Sequence, residues 1–166
     1  MKSEIPVYDI TSFSEFRHED ILMARLSTYW ATHQDLYYSH RHSLYHVVLF
    51  TEGKGIHSID FQTFPVKANQ IYFMIPGQVH NWNFDGPVDG YVINFSIPFF
   101  QSFLLKPDFL DDFIFFNGSV SDSVIQIPPE LEPKVKAIFE EILSEGMENR
   151  PFGQNLVRSL LLHLFI

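Results

Sequence analysis

Short apolar segments recur between residues 21 and 127, and Gly, Pro or Asn residues separate most of them. Within the segments apolar and polar side chains tend to alternate, which is typical of β-strands that bury one face. Short strands at intervals of roughly ten residues predict an all-β sandwich or barrel. The predicted strands are Ile21–Trp30, Leu44–Thr51, Ile56–Phe61, Ile71–Ile75, Val79–Phe84, Val88–Ser96 and Val124–Ile127.

After Pro98 the spacing of the apolar residues becomes helical. Residues 99–105 and 108–116 predict short helical turns. Apolar side chains at i, i+3/i+4 and i+7 then predict a helix from Pro128 to an end marked by Gly146. A second helix is predicted over residues 152–166, where apolar side chains nearly encircle the axis. One face of that helix can cover the β-structure, and the remainder then needs a partner.

A chain of 166 residues fits one domain with a sizeable core. Residues 1–20 are expected to form a loosely packed N-terminal arm, residues 21–127 the β-domain, and residues 128–166 a helical segment. The second helix reaches the last residue without a polar cap or a glycine, so we expect the natural chain to continue into a further domain.

Composition and charge exclude several classes of function. The net charge is −9 with 11 scattered Lys and Arg, which does not suit a nucleic-acid-binding domain, because such a domain needs a basic stripe to neutralise phosphates. The absence of cysteine excludes disulfides and thiolate zinc sites. No segment approaches a membrane span, and the N-terminus lacks an apolar signal region. A cytoplasmic protein without a membrane partner is therefore predicted.

Histidines provide the one concentrated group of reactive side chains. His40, His42 and His46 are separated by even numbers and would share one face of an unbroken strand. In such a strand, however, His42 and His46 would lie about 13 Å apart along the axis. A break at residues 43–45 is required before all three imidazoles can meet.

Two blocks around these histidines resemble the conserved blocks of the cupin superfamily. The first comprises His40, His42, His46 and Gly53; the second comprises Pro76, Gly77, His80 and Asn83. Two features depart from the usual pattern: His46 stands where the first block has an acid, and the Pro and Gly of the second block are adjacent. More closely, HRHSLYH, EGKGIHSIDF and IPGQVHNW resemble the N-terminal sensor domain of AraC-type transcription regulators.

The resemblance implies a mainly β fold: a cupin double-stranded β-helix, or jelly-roll barrel, followed by a C-terminal pair of α-helices. It implies a homodimeric, effector-binding domain that senses a small molecule such as a sugar. DNA would be bound only by a helix-turn-helix domain absent from this chain. The expected ligand-binding residues are His40, His42, His46, His57, Tyr72, His80 and Trp82, and the expected dimerisation residues are Leu156, Leu160, Leu161 and Leu164.

An alternative is a small metal-dependent cupin enzyme, such as a dioxygenase or an isomerase. Its divalent transition metal would be held by His40, His42, His46 and His80, because imidazole nitrogens suit Zn, Fe, Ni and Cu. AraC-type sensors commonly keep the pocket without a metal, so the favoured prediction is a sensor with no catalytic residues and no cofactor. The imidazoles and the aromatic side chains Tyr45, Tyr72, Trp82 and Tyr91 also admit a plainer interpretation as pocket wall or core.

Overall fold

The computed structural model describes residues 5–15, 17–101, 103–104, 106, 108–148 and 150–166. Two β-sheets face each other in a sandwich, and two long helices follow. The five-stranded sheet has the order β1 (Val7–Tyr8), β4 (His40–His42), β9 (Val79–Phe84), β6 (Gly55–Ile59), β7 (Gln62–Pro65). The six-stranded sheet has the order β11 (Val124–Gln126), β8 (Gln70–Met74), β5 (Tyr45–Glu52), β10 (Asp89–Phe95), β3 (Ile21–Arg25), β2 (Arg17–His18).

Strand β5 lies near the centre of the six-stranded sheet, paired antiparallel with β8 and β10. Its even-numbered residues, such as Val48, face the other sheet and join the core between the sheets. Its odd-numbered residues, such as Val47 and Leu49, join a second core on the opposite face. Both faces of this strand are buried, which explains why the segment is continuously apolar rather than alternating.

The second core lies between the six-stranded sheet and the two long helices, α2 (Glu132–Glu148) and α3 (Gly153–Phe165). Phe139 of α2 contacts Tyr91 of β10, with ring centroids 5.4 Å apart. Phe165 of α3 contacts Phe95 of the same strand, at 6.4 Å. The helices thus cover the outer face of the sheet, as the predicted apolar stripes require.

The predicted strand Ile21–Trp30 is wrong in its second half. The strand ends at Arg25, and a helix, α1, spans Leu26–Thr32. Leu26 and Tyr29 are both fully buried, and their i, i+3 spacing is helical. The apparent continuation of the strand pattern therefore came from a helix whose apolar side chains follow directly on the strand.

Two other elements have boundaries that differ from prediction, and the first of the two long helices begins at Glu132 rather than at Pro128. Strand β6 ends at Ile59, and Phe61 lies in a turn with a positive φ of 70° and a fully exposed side chain. Helix α2 runs through Gly146 instead of ending there. The end of the Met23 side chain of β3 lies against Gly146, so the glycine leaves room for that side chain inside the continuous helix.

The helical turn predicted over residues 99–105 is displaced to a 3-10 turn at Ile97–Phe100, and the one predicted over residues 108–116 is present as two 3-10 turns, Phe109–Asp112 and Ile114–Phe116. Residues 102 and 105 of the first predicted turn lie outside the described residues. Among the described helices, none is both long enough and apolar enough to cross a membrane.

The segment predicted as an arm contributes to both sheets. Strand β1 pairs in parallel with β4, and β2 pairs antiparallel with β3. Between them, the side chain of Phe13 is 1% exposed within the inter-sheet core. The described part of this segment is therefore packed on the sandwich, contrary to the expected loose packing.

Candidate functional site

Five histidines meet inside the sandwich, each at most 3% exposed: His40, His42, His46, His57 and His80. We call these five side chains the imidazole cluster. Strands β4, β6 and β9 of one sheet and β5 of the other supply them. The pairing of neighbouring strands brings these side chains together. His40 is directly opposite His80 on β4 and β9, and His57 is directly opposite Trp82 on β6 and β9.

The predicted break between His42 and His46 is present. Strand β4 ends at His42, the chain crosses from one sheet to the other at Ser43 and Leu44, and β5 begins at Tyr45. The crossing is fixed by a hydrogen bond from the Ser43 backbone N–H to the Tyr8 carbonyl, 3.0 Å long. As a result the rings of His42 and His46 stack, with centroids 4.8 Å apart and planes 11° apart.

His80 lies at the centre of the imidazole cluster. Its ring centroid is 4.2 Å from that of His40, 5.0 Å from that of His42 and 4.9 Å from that of His46. Its Nδ1 atom lies 3.2 Å from Nε2 of His57, a hydrogen bond in which one of the two rings donates. These separations place the rings in van der Waals contact.

The other two expected ligand-binding residues, Tyr72 and Trp82, flank the cluster and are fully buried. The Tyr72 ring lies 4.5 Å from that of His57, and its hydroxyl donates to Oε1 of Gln70 at 2.7 Å. The Trp82 ring lies 5.7 Å from those of His46 and His57. All seven side chains singled out from the sequence therefore meet in the inter-sheet core.

Tyr45 and Tyr91, for which the sequence allows a place in a pocket wall or in the core, lie outside the imidazole cluster. Tyr45 stacks on Phe95 at 5.0 Å, and Tyr91 packs on α2. Both belong to the core beneath the helices. Their odd positions in β5 and β10 point away from the imidazole cluster.

Hydrogen bonds fix the proton on two of the imidazoles. Nδ1 of His40 lies 2.8 Å from the Tyr38 carbonyl oxygen, which can only accept, so Nδ1 carries the proton. Nδ1 of His46 donates likewise to Oδ1 of Asn94. Asn94 in turn donates from Nδ2 to the Tyr29 hydroxyl at 3.4 Å. In both histidines Nε2 is left with a free lone pair.

Several buried ring nitrogens of the cluster have no hydrogen-bond partner among the described residues. They are Nε2 of His40, both nitrogens of His42, Nε2 of His46, Nδ1 of His57 and Nε2 of His80. Nε1 of Trp82 also lacks a hydrogen-bond partner among the described residues. Buried polar atoms are normally satisfied, so this concentration distinguishes the cluster from ordinary core.

Burial keeps the imidazoles neutral. Desolvation lowers the pKa of His46 to about 3. It also lowers the pKa of His40 and holds the pKa values of His42, His57 and His80 well below their ordinary range, with mutual repulsion as a further cause for those three. At neutral pH the cluster therefore presents uncharged nitrogens whose lone pairs are available.

Three of the four predicted metal ligands have compatible geometry. His40, His42 and His80 each offer a ring nitrogen, and these atoms lie within 4.8 Å of one another. His46 lies against the same group through its stack on His42 but does not complete that set. Neutral imidazole is a ligand for transition metals, and the donor set fits such an ion.

Other contributors to the site were not identified from the sequence. Asn94 and Tyr29 orient His46, while Tyr8 and Phe13 of the N-terminal segment lie against the cluster, their rings 5.5 Å and 5.6 Å from His40 and His42 respectively. Asn94 shares the inward parity of Val92, in a strand whose other residues after Asp89 are Gly, Tyr or apolar. The one available signal in the sequence was Asn94 itself, a single amide side chain within a predicted strand.

The four predicted dimerisation leucines differ in exposure. Leu160 and Leu161 are buried in the chain's own core, and Leu164 is partly buried against it. Leu156 is 39% exposed. An interface formed in this conformation would therefore use Leu156 rather than the two buried leucines.

Comparison with known proteins gives one family match. The family described as AraC-like ligand binding domain matches residues 27–165. No curated protein matches the chain.

Two solved structures resemble the chain in part. The conserved protein of unknown function SPY1581 from Streptococcus pyogenes is similar over 48% of this chain and 68% of its own, at 14% identity and a TM-score of 0.38. The AraC-like transcriptional activator CuxR is similar over 88% of this chain and 52% of its own, at 10% identity and a TM-score of 0.48. The chain thus spans about half the length of CuxR.

Proposed function

This chain belongs to the AraC-like ligand binding domain family, and from that membership we propose that it is the effector-sensing domain of an AraC-type transcription regulator. The effector binds at the imidazole cluster and alters DNA binding by a separate C-terminal domain. We propose further that the sandwich is a cupin double-stranded β-helix. A regulator of this kind works where the DNA is, so we propose a cytoplasmic location.

The observation that carries the proposal is the set of unpaired, neutral ring nitrogens in the inter-sheet core. A buried polar atom without a partner costs stability, by about 1–3 kcal/mol. A core shaped for stability alone would hold apolar side chains at these positions. Binding sites commonly keep such unsatisfied groups because a ligand satisfies them.

Strand β10 offers a physical connection from the cluster to the helices. Asn94 faces inward and accepts from His46, while its neighbour Phe95 faces outward against Phe165 of α3. Tyr91 of the same strand donates from its hydroxyl to Glu140 of α2. A ligand that binds two arrangements of this strand unequally would shift the packing of the helices.

Dimerisation belongs to the same proposal. Phe152, the residue before α3, and Leu156, in the first turns of α3, are both exposed at the start of this helix. We propose that these exposed side chains meet a second copy of the chain. The effector would then act on DNA binding through the geometry of the dimer.

Catalysis by a metal-dependent cupin enzyme is the competing prediction. Membership in a ligand-binding family favours sensing. The described residues touching the imidazole cluster through hydrogen bonds are an amide, a backbone carbonyl and another imidazole, none of which is a strong acid or base. We therefore propose a sensor, with a sugar, as the resemblance predicts, among the candidate effectors.

Thermal unfolding in the presence of candidate effectors tests the proposal. A panel of pentoses, hexoses and transition-metal chlorides would be screened, because a ligand at 100 times its Kd adds about 2.7 kcal/mol to the stability of the native state. We expect a stabilising compound whose effect disappears in His42→Leu and persists in His163→Gln, which changes an exposed histidine of α3. A stabilising compound that still acts on His42→Leu would place the binding site elsewhere.

A further inference from the structure

We infer that the effector is a divalent first-row transition-metal ion, bound by ring nitrogens of His40, His42 and His80. The inference rests on the proposed function in taking the imidazole cluster as the effector site. It names an inorganic ion in place of the sugar predicted from the sequence. His46, stacked on His42, lies next to the proposed ligands.

The hydrogen bonds around the cluster prepare its nitrogens for coordination. A ligating histidine typically donates its other ring N–H to a carbonyl or carboxylate, which fixes the tautomer and the ring orientation. His40 does so through Nδ1 to the Tyr38 carbonyl, leaving Nε2 free. In His80, Nδ1 bonds to Nε2 of His57 and Nε2 is unpaired. The tautomer in which His80 donates gives a second free Nε2 lone pair.

His42 completes the set with two ring nitrogens, neither of which has a partner among the described residues. Either tautomer of this ring therefore offers one lone pair. Together with Nε2 of His40 and Nε2 of His80, it gives three ring nitrogens with available lone pairs.

Distances favour an ion over a larger molecule. Nitrogens bound at about 2.0–2.1 Å in a tetrahedral arrangement lie about 3.3–3.4 Å apart, and the three candidate atoms already lie within 4.8 Å of one another. Small rotations of the rings would close this gap. The His40 and His80 ring centroids are 4.2 Å apart, so a sugar could enter between them only if the two strands separated.

The donor atoms select the kind of ion. Three neutral nitrogens without an oxygen or thiolate ligand suit Zn, Co, Ni or Cu and do not suit Mg or Ca, which require oxygen. Three protein ligands also leave a coordination position for water or a small anion. An ion held there would lie beside His46, which stacks on His42 and donates to Asn94 of β10, the strand that packs on the helices.

Titration of the chelator-stripped chain with Co²⁺ tests the inference. We expect one ion per chain and visible absorption bands typical of cobalt bound by nitrogen in a four-coordinate site. His42→Leu and His80→Gln should each weaken binding by more than about 100-fold, a larger loss than a supporting residue gives. The matched control, His163→Gln, removes an exposed histidine and should bind as the parent chain does.

A second pair of variants tests whether His57 positions His80 for metal binding or has only a structural role. His57→Leu removes the partner of His80 and should weaken Co²⁺ binding by roughly 10–100-fold. His57→Gln retains an acceptor and should restore most of the affinity. Equal losses in both variants, without a change in the cobalt spectrum, would remove His57 from the proposed site.

The inference is overturned if cobalt binds at less than one equivalent, lacks the nitrogen-ligand spectrum, or binds equally well to His42→Leu. If a sugar instead stabilises the chain in a manner that depends on His42, the metal inference fails and the proposed function stands. If cobalt binds to the three histidines but leaves DNA binding by a regulator that carries this chain unchanged, the site stands and the proposed function fails.

Discussion

At the scale of single residues, His42 and His46 differ in their hydrogen bonds although their rings stack. Both nitrogens of His42 lack a partner among the described residues, whereas Nδ1 of His46 donates to the buried Asn94. The imidazole of His42 therefore contributes little to the stability of the ligand-free chain. That of His46 satisfies a buried amide.

Leucine substitutions separate these two roles. In the ligand-free chain, His42→Leu should leave the free energy of unfolding unchanged or raise it, because two unpaired nitrogens are replaced by apolar surface. His46→Leu should lower it by about 1–3 kcal/mol, because the Asn94 carbonyl loses its donor. Urea unfolding measures both values. A loss as large for His42→Leu as for His46→Leu would assign His42 a structural role.

Burial of neutral imidazoles also predicts how the stability depends on pH. The five pKa values are lowered in the folded chain, so the unfolded chain takes up protons first as the pH falls below about 6.5. The stabilisation is complete above that pH and is lost progressively as the pH falls toward the folded-state values, near 3 for His46. Each histidine contributes up to about 1.4 kcal/mol per pH unit.

Thermal unfolding of the metal-free chain between pH 7.5 and pH 5 measures this dependence. The midpoint should fall steadily below about pH 6.5. His42→Leu is the matched control, and its midpoint should fall less steeply because one protonation is removed. A midpoint that stays constant over this range would contradict the burial of neutral histidines.

The sequence singles out the histidines that meet in the imidazole cluster, but not the side chains that orient them. The even spacing of His40, His42 and His46 and the axial rise of a strand required a break, and the break is present. Asn94 and Tyr29 were missed because their contact with His46 spans strands far apart in sequence. No local pattern specifies such a pairing.

At the scale of elements, strand β10 and the helices it contacts connect the site to the surface. Its inward residues belong to the core between the sheets and its outward residues to the core beneath α2 and α3. The alternation of a strand thus gives one element two roles. Strand β5 shares this arrangement, and its continuous apolar run follows from it.

Helix α3 carries the proposed dimer contact at its exposed side. Leu156→Asp places a charge at a 39% exposed position without entering the core, and it should weaken dimerisation by about 10-fold or more. Sedimentation equilibrium measures the dissociation constant. Asn155→Asp introduces the same charge at the adjacent exposed position and should leave the dimer intact. A dimer that is unaffected by Leu156→Asp would have its interface elsewhere.

Element boundaries were predicted less well than element types. Helix α1 was missed because its apolar residues follow β3 without an intervening turn signal. Gly146 predicts a helix end because glycine has low helix propensity, whereas in the structure it lies inside α2 against the end of the Met23 side chain. Tertiary contacts determined both, and a local pattern does not contain them.

At the scale of the whole molecule, the sandwich and its two helices form the sensor unit, and the N-terminal segment completes it. Tyr8 and Phe13 lie against His40 and His42, so the segment preceding β3 forms part of the wall of the cluster. A ligand that moves these imidazoles would also act on that segment. The segment thus contacts the imidazole cluster directly, and the helices contact β10, which carries Asn94 beside His46.

The most direct test of the sensor account is a reporter measurement on a chimera of this chain and the DNA-binding domain of a characterised AraC-type regulator. Transcription would be measured with and without the compound that stabilises the isolated chain. The account predicts a change in output for the parent chimera and for His163→Gln, and none for a folded His42→Leu chimera. Output that is identical with and without a compound shown to bind at the imidazole cluster would contradict it.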